Sequence, residues 1–237
     1  HHVHAAAQLL STLTTARPST LREHLPAIGK LIARLAKDSS VTRGPPPSAQ
    51  GAQGGGSTAS REAEAAGEAS LRTLKLGVDQ MAKYVQAAQP GSVGGAVSVG
   101  APAGADADAE ARRIFAAPLL ALIDVKTDPE LLLKVASVVS LWLTAPFTPT
   151  SMTLKERTTF VGRMVCFEHV QSPPLQAAFL QVVHRMYTDP TLARKELLDK
   201  IEPAFMFGLR ARDPKLRAAF FDVFHRSVGR TPAARLL

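Results

Sequence analysis

The residues equipped for chemistry are few, and their spacing does not assemble a site. His1, His2 and His4 open the chain with His-x-His spacing that suits a metal ion. A frayed terminus or a cloning scar explains them better. His169, His184 and His225 stand beside Glu168, Arg185 and Arg226 in separate predicted helices, where solvent-facing or helix-end positions are expected. Glu196, Asp199 and Glu202 lie within about two turns of one predicted helix. They are interspersed with Lys195 and Lys200, so local ion pairing accounts for them better than acid–base work. Cys166, the one cysteine, sits in RMVCFEHV among apolar neighbours and reads as a buried packing residue, not a nucleophile. A single cysteine allows no internal disulfide and suits a reducing compartment. The glycine-rich GSVGGAVSVG lacks a Gly-Lys-Ser/Thr ending and follows no apolar strand, so it is a linker, not a phosphate loop. No His-Glu-x-x-His, Cys-x-x-Cys, Gly-x-Ser-x-Gly or Walker lysine occurs. No catalytic, cofactor-binding or metal-ligating residue is assigned, and no cofactor is expected.

Something must nevertheless organise 237 residues that are 46% hydrophobic but only 5% aromatic. A core of that kind is aliphatic, which favours helix packing over a sheet sandwich. No run approaches the ~18 uncharged apolar residues that a membrane span needs. The chain starts without methionine and without a readable signal peptide, so a fragment or processed piece is expected. Net charge is +8, and eleven Lys and Arg stand against six Asp and Glu from Arg185 to Leu237. Those charges alternate in sign and no aromatic residues interleave as a stacking platform, so they read as a solvated helix surface.

Two segments interrupt the helical pattern. Residues 44–60 (GPPPSAQGAQGGGSTAS) and 90–109 (PGSVGGAVSVGAPAGADADA) hold ten of the sixteen glycines. Such composition buries too little to offset chain entropy, and both are expected to be disordered loops. Between and before them, Leu21, Leu25, Ile28, Ile32 and Leu35 form one apolar stripe, and Leu71, Leu74, Val78, Met81 and Val85 form another.

Further along, a unit repeats. SPPLQAAFLQVV from Ser172 and DPKLRAAFFDVF from Asp213 share Pro, Leu, Ala-Ala-Phe and Val at matching places. Asp128-Pro129, Ser172-Pro173 and Asp213-Pro214 each pair an N-cap residue with proline at the first helical position. The starts are 44 and 41 residues apart. The helices that follow are expected to bury Leu131, Val135, Val138 and Val139; Leu175, Phe179, Val182 and Val183; and Leu216, Phe220, Val223 and Phe224. Pro118 and Pro203 lie ten residues before two of the caps, Gly162 takes that place in the middle unit, and Pro26 before Asp38 is a degenerate instance. Proline loosens a helix, so a fixed offset marks an architectural kink. A further pair, Asp189-Pro190, is expected to start the first helix of the last unit.

Helix, short loop and capped helix at this period define the HEAT or armadillo class. The predicted fold is all-α: an α-solenoid of helical hairpins interrupted by disordered Gly/Pro/Ala-rich loops. The expected layout is a helical segment at 1–37, a linker at 38–61, an amphipathic helix at 62–88, an insertion at 89–110 and about three repeats over 111–237. Trp142 is expected to close a hairpin core. Of Phe205, Phe207, Phe220, Phe221 and Phe224, at least three are expected in the core, and a Phe pair left outside would be a docking patch.

The stretch LLDKIEPAFMFGLRARDPKLRAAFFDVFHRS, Leu197 to Ser227, resembles the helical-repeat region of the TRRAP family, pseudokinase relatives of the phosphatidylinositol-3-kinase-like kinases. Ile201 to Phe205, Gly208 to Arg210 and Phe220 to Phe224 carry the likeness most sharply. It extends through LKERTTFVGRMVCFE and IFAAPLLALIDVKTDPELLLKVASVVSLWL to about Leu71, the insertion excepted. The resemblance implies a non-enzymatic scaffold in the nucleus that links DNA-bound transcription activators to histone acetyltransferase complexes of the SAGA and NuA4 types. Its implied partners are activators, acetyltransferase-complex subunits and neighbouring repeats of the parent chain. No membrane partner and no direct nucleic-acid binding are expected. A different HEAT scaffold (a transport receptor or phosphatase scaffold) or the helical region of an active kinase of that superfamily is the rival reading.

Two outcomes follow from this pattern. The isolated 237 residues should melt with low stability and self-associate, because a severed solenoid exposes apolar ends. A sharp melt independent of protein concentration would contradict that. Duplex DNA should not be retained at about 50 mM salt, where phosphate contacts are strongest; measurable salt-dependent binding would reverse the reading of the basic end.

Overall fold

The computed structural model describes residues 21–37, 58–87, 104–125, 128–149 and 151–227. Among them every regular element is helical. They are α1 (Leu21–Lys37), α2 (Thr58–Ala87), α3 (Gly104–Val125), α4 (Pro129–Leu143), α5 (Leu154–Met164), a 3₁₀ segment (Val165–His169), α6 (Pro173–Thr188), α7 (Lys195–Gly208) and α8 (Pro214–Ser227). The chain divides into two compact units, residues 1–138 and 139–237, and the division falls within α4.

In the first unit α1 packs against both α2 and α3. Its stripe does what its periodicity predicts, with Leu25, Ile28 and Ile32 buried and Leu35 half-buried. Leu74, Val78, Met81 and Val85 of α2 are wholly buried, and Leu71 is half-buried. Close approach depends on Gly29, where a Cβ would lie 2.6 Å from Ile114 Cγ2. Asp128 has two tasks. Its Oδ1 accepts from the Glu130 and Leu131 amides at 3.0 Å, capping α4 as predicted. It also lies 3.1 Å from Lys75 Nζ, which reaches Glu130 at 2.6 Å. Burial pulls the Lys75 ammonium down, but hydrogen bonds to Glu130 and Asp128 outweigh it and leave its pKa raised.

The second unit shows the stacking of a helical repeat. The first helix α5 lies against the next first helix α7, and the second helix α6 lies against the next second helix α8. Thr153 caps α5 with a full capping box: the Glu156 amide donates to its hydroxyl, and its own amide donates to the Glu156 carboxylate. Pro203 sits inside α7, and in the first unit Pro26 and Pro118 sit inside α1 and α3. The middle repeat, which has Gly162 instead of proline, breaks its first helix differently. There α5 tightens into the 3₁₀ segment at Val165.

Several expectations are corrected. Helix α2 starts at Thr58 and α3 at Gly104, so helix invades the ends of both predicted loops. Alanine and acidic residues there favour helix over the disorder that the glycines suggest; the rest of those loops, like His1, His2 and His4, lies outside the described residues. Ser172 precedes α6 but its hydroxyl makes no cap bond. Gln176 Nε2 instead donates to the Glu168 and Val170 carbonyls, closing the 3₁₀ segment onto α6. Asp189-Pro190 does not start α7. The Asp189 carboxylate accepts from the Thr191 amide and hydroxyl, and that turn delays the helix to Lys195. Those two bonds hold the Asp189 pKa below its usual value. Cys166 is only half-buried.

The repeat positions of α4 and α6 are all buried, and Trp142 is closed in the core. In α8 only Phe220 is: Leu216 and Val223 are half-buried and Phe224 is exposed. α6 is covered by α7 and α8, whereas α8 packs against α6 and α7 and no later helix follows it among the described elements.

A residue that the apolar pattern conceals is Arg157, which is fully buried. Its Nη1 donates to the Leu143 carbonyl at 2.7 Å, at the negative end of α4. Its Nε and Nη2 reach the carbonyls of Met152 and Pro146 at 3.3 and 3.4 Å. The guanidinium lies 4.0 Å over the Phe147 ring. One side chain thus ties the end of α4 to Pro146 and Met152 in the connection to α5.

Replacing Arg157 with Met keeps much of the volume but strands three carbonyls, so unfolding free energy should fall by about 3 kcal/mol or more. Gly208→Ala should cost about 1–3 kcal/mol, since its Cβ would sit 2.5 Å from the Phe220 ring. Urea melts with an unchanged slope and a lower midpoint would register both; wild-type midpoints would contradict them.

Candidate interaction surface

The hairpin α7–α8 divides its aromatic residues between a buried and an exposed set. Ile201, Ala204 and Phe205 of α7 face inward, and Phe220 of α8 is fully buried beside them. The Phe220 ring meets Phe205 at 5.3 Å and 61°, and meets the His184 ring at 5.6 Å and 65°. Tyr187 lies against Phe205 at 4.4 Å. The turn between the helices is tied by Leu209, Arg210 and Ala211 amides and by Arg217 Nη1 donating to the Ala211 carbonyl at 2.8 Å. Asp213 accepts from the Lys215 amide at 2.9 Å and begins α8.

Packing of that kind leaves other aromatics outside. Phe221 is 51% exposed and Phe224 43%, and Met206 of α7 is 51% exposed. Spaced three apart, Phe221 and Phe224 share one face of α8. Exposed Arg210, Arg212, Lys215 and Arg226 and exposed Asp222 provide the polar surroundings. The expectation of three core phenylalanines is corrected to two, Phe205 and Phe220, with Phe207 half-buried. The outer Phe pair that would mark a docking patch is present. Sequence alone did not single out Met206, whose α7 face carries no apolar repeat to flag it.

The other candidates do not come together into a reactive centre. His169 and His225 are exposed, while half-buried His184 packs on Phe220. Among the described residues no group of three or more His, Cys, Asp or Glu is placed to hold a metal ion. Exposed Glu196, Asp199 and Glu202 line α7, and the latter two bear on Tyr187. A shallow, open hollow on α1 is lined by Ala27, Lys30, Leu31, Ala33, Arg34 and Lys37, without an acid or a nucleophile. No helix among the described residues is long and apolar enough to cross a membrane. Arg157 escaped the sequence reading, though a signal existed. With Phe160, Val161 and Met164 it completes spacings of three, four and seven on the buried stripe of α5.

Helical hairpins stacked first on first and second on second, with an exposed aromatic face and no assembled reactive groups among the described residues, define an α-helical repeat protein of the HEAT class. A sequence-family model described as the Tra1 HEAT repeat ring region matches residues 1–237, and the chain belongs to that family. It is 36% identical over 135 residues to the human transformation/transcription domain-associated protein, covering 53% of this chain and 3% of that protein. The zebrafish (Danio rerio) protein of the same name is 32% identical over 126 residues, 50% of this chain and 3% of its own length. A Schizosaccharomyces pombe relative named SAGA complex/NuA4 acetyltransferase complex subunit Tra1 is 27% identical over 125 residues, 53% of this chain and 3% of that protein. The matched stretch is thus a small part of each relative. No solved structure matches significantly.

Two measurements probe this region. Burial, then the Glu202 and Asp199 charges, push the Tyr187 phenol up to about 12 from 10.0. Because the folded value is the higher, this group's contribution is intact below pH 10 and is lost as pH rises toward 12. Tyr187→Phe should therefore flatten part of the alkaline loss of stability; an unchanged profile would rule the assignment out. Phe221→Glu with Phe224→Glu should leave helicity and melting midpoint nearly unchanged while reducing self-association in sedimentation.

Proposed function

We propose that this chain is a non-catalytic scaffold segment of a TRRAP-like transcription coactivator in the nucleus. The observation that carries the reading is the family match across residues 1–237, together with relatives named as acetyltransferase-complex subunits. On this reading the parent protein links DNA-bound activators to histone acetyltransferase complexes of the SAGA and NuA4 types, and its distant kinase-like domain is a pseudokinase. The segment's contribution is mechanical. Residues 111–237 supply about three HEAT-like repeats, the segment 1–37 serves as a degenerate repeat, and low-complexity linkers separate them. The aromatic face of α8 extends the stack to a neighbouring repeat of the parent chain, since the equivalent face of α6 is itself covered by the next hairpin.

The test is affinity purification of the tagged full-length protein from nuclear extract, followed by mass spectrometry. Acetyltransferase and other SAGA- or NuA4-type subunits should co-purify in stoichiometric amounts. Recovery with nuclear transport factors or phosphatase subunits instead would replace this reading with that of another HEAT scaffold. Intact catalytic aspartates in the parent's kinase-like domain would overturn the pseudokinase component.

A further inference from the structure

We propose that Thr148 is a proline-directed phosphorylation site whose phosphate pairs with Arg194. Three Ser/Thr–Pro pairs occur in the chain: Thr148-Pro149, Ser172-Pro173 and Thr231-Pro232. Only Thr148 also has proline two residues earlier, so the run Pro146-Phe147-Thr148-Pro149 has the Pro-x-Thr-Pro form that proline-directed kinases favour. The fold separates these pairs further. Ser172-Pro173 begins α6, where the proline is already helical, and Thr231-Pro232 lies outside the described residues. Thr148 lies in the irregular connection between α4 and α5, and Pro146, Thr148 and Pro149 are all exposed. Proline at 149 biases Thr148 toward extended backbone, the form a kinase cleft takes up.

The surroundings supply a recipient for the charge. Phe147, the preceding residue, has the Arg157 guanidinium at 4.0 Å and that of Arg194 at 5.4 Å from its ring centre. Arg157 is buried and donates to three carbonyls, so it anchors the loop and does not swing outward. Arg194 is exposed and lies at the N-terminus of α7, which has no side-chain cap. A dianion on Thr148 would meet that guanidinium and the positive helix end, tying the α4–α5 loop to the start of the next hairpin. The Ser151 amide and hydroxyl both donate to the Thr148 carbonyl, so the turn holds the backbone of this exposed residue.

The chemistry is phosphoryl transfer from ATP. Thr148 Oγ1 attacks the γ-phosphorus and a new O–P bond forms. The bond from that phosphorus to the β,γ-bridging oxygen breaks, ADP departs with the electron pair, and the hydroxyl proton passes to the kinase's base. No oxidation state changes.

The intact 237-residue chain would be incubated with a proline-directed Ser/Thr kinase and Mg·ATP, natively and in urea after rapid dilution, with sites located by fragment mass spectrometry. Native labelling of Thr148 should exceed that of Ser172 by about tenfold or more, because reaching Ser172 requires opening the first turn of α6. Pro149→Ala should remove most of that label. A native chain that takes no phosphate at Thr148, or labels Ser172 equally, would overturn the site, as would label undiminished by Pro149→Ala. Phosphorus NMR of the phosphorylated chain tests the partner. The phosphate's second pKa, near 6 alone, should lie about half a unit lower with Arg194 than in Arg194→Gln. Identical titrations would remove Arg194 from the proposal.

Discussion

A phenylalanine ring resting where a glycine lacks a side chain determines how the last hairpin closes. Phe220 is fully buried, and its ring occupies the space a Cβ on Gly208 would take, 2.5 Å away. That vacancy lets α7 and α8 approach closely enough for Phe220 to touch Phe205 on one side and His184 on the other. Three helices therefore share one ring. The neighbouring aromatics are not opposite it: Phe224, one turn on, lies nearly in line with Phe220, and Phe221 lies beside them, yet both are exposed because no later hairpin among the described elements covers α8.

The same economy governs the polar groups. A repeat stack has many helix ends and connections, and each carries backbone groups that need partners. Asp128 and Asp213 cap α4 and α8, Thr153 and Glu156 cap α5 reciprocally, and Gln176 serves two carbonyls at the 3₁₀ segment. Arg157 takes the hardest task, since three carbonyls converge on a connection that two prolines deprive of amide donors. A charged side chain placed in the core is tolerable there because Nε, Nη1 and Nη2 each reach a carbonyl and an aromatic ring covers its face. Such rigid connections suit a protein whose proposed work is to hold surfaces at fixed separation.

The regular features were legible because they are local. Proline at the first helical position, caps before it, and apolar residues at spacings of three and four placed α4, α6 and α8 at their observed starts. The kink prolines Pro118 and Pro203 do lie inside helices, and Trp142 is core. Misreadings came where two local signals competed. Asp189-Pro190 looks like a helix start, yet the Thr191 hydroxyl offers the aspartate a turn that costs less than helix initiation. Ser172 matches the cap pattern in type, but its hydroxyl makes no cap bond, and nothing in the sequence pattern signals that. Glycine content suggested disorder at residues that alanine drew into α2 and α3.

Sequence by itself determined an aliphatic all-α chain, its repeat period, the starts of α4, α6 and α8 and its family resemblance, because backbone propensity and helical periodicity are properties of neighbours in the chain. It could not decide which equivalent positions would be covered. Val183 and Phe224 occupy the same place in their repeats, but the first is wholly buried and the second 43% exposed. Only the tertiary structure separates them, since burial depends on the helices that arrive from the next hairpin. Arg157 makes the same point from the other side: its type reads as surface, and three distant carbonyls make it core.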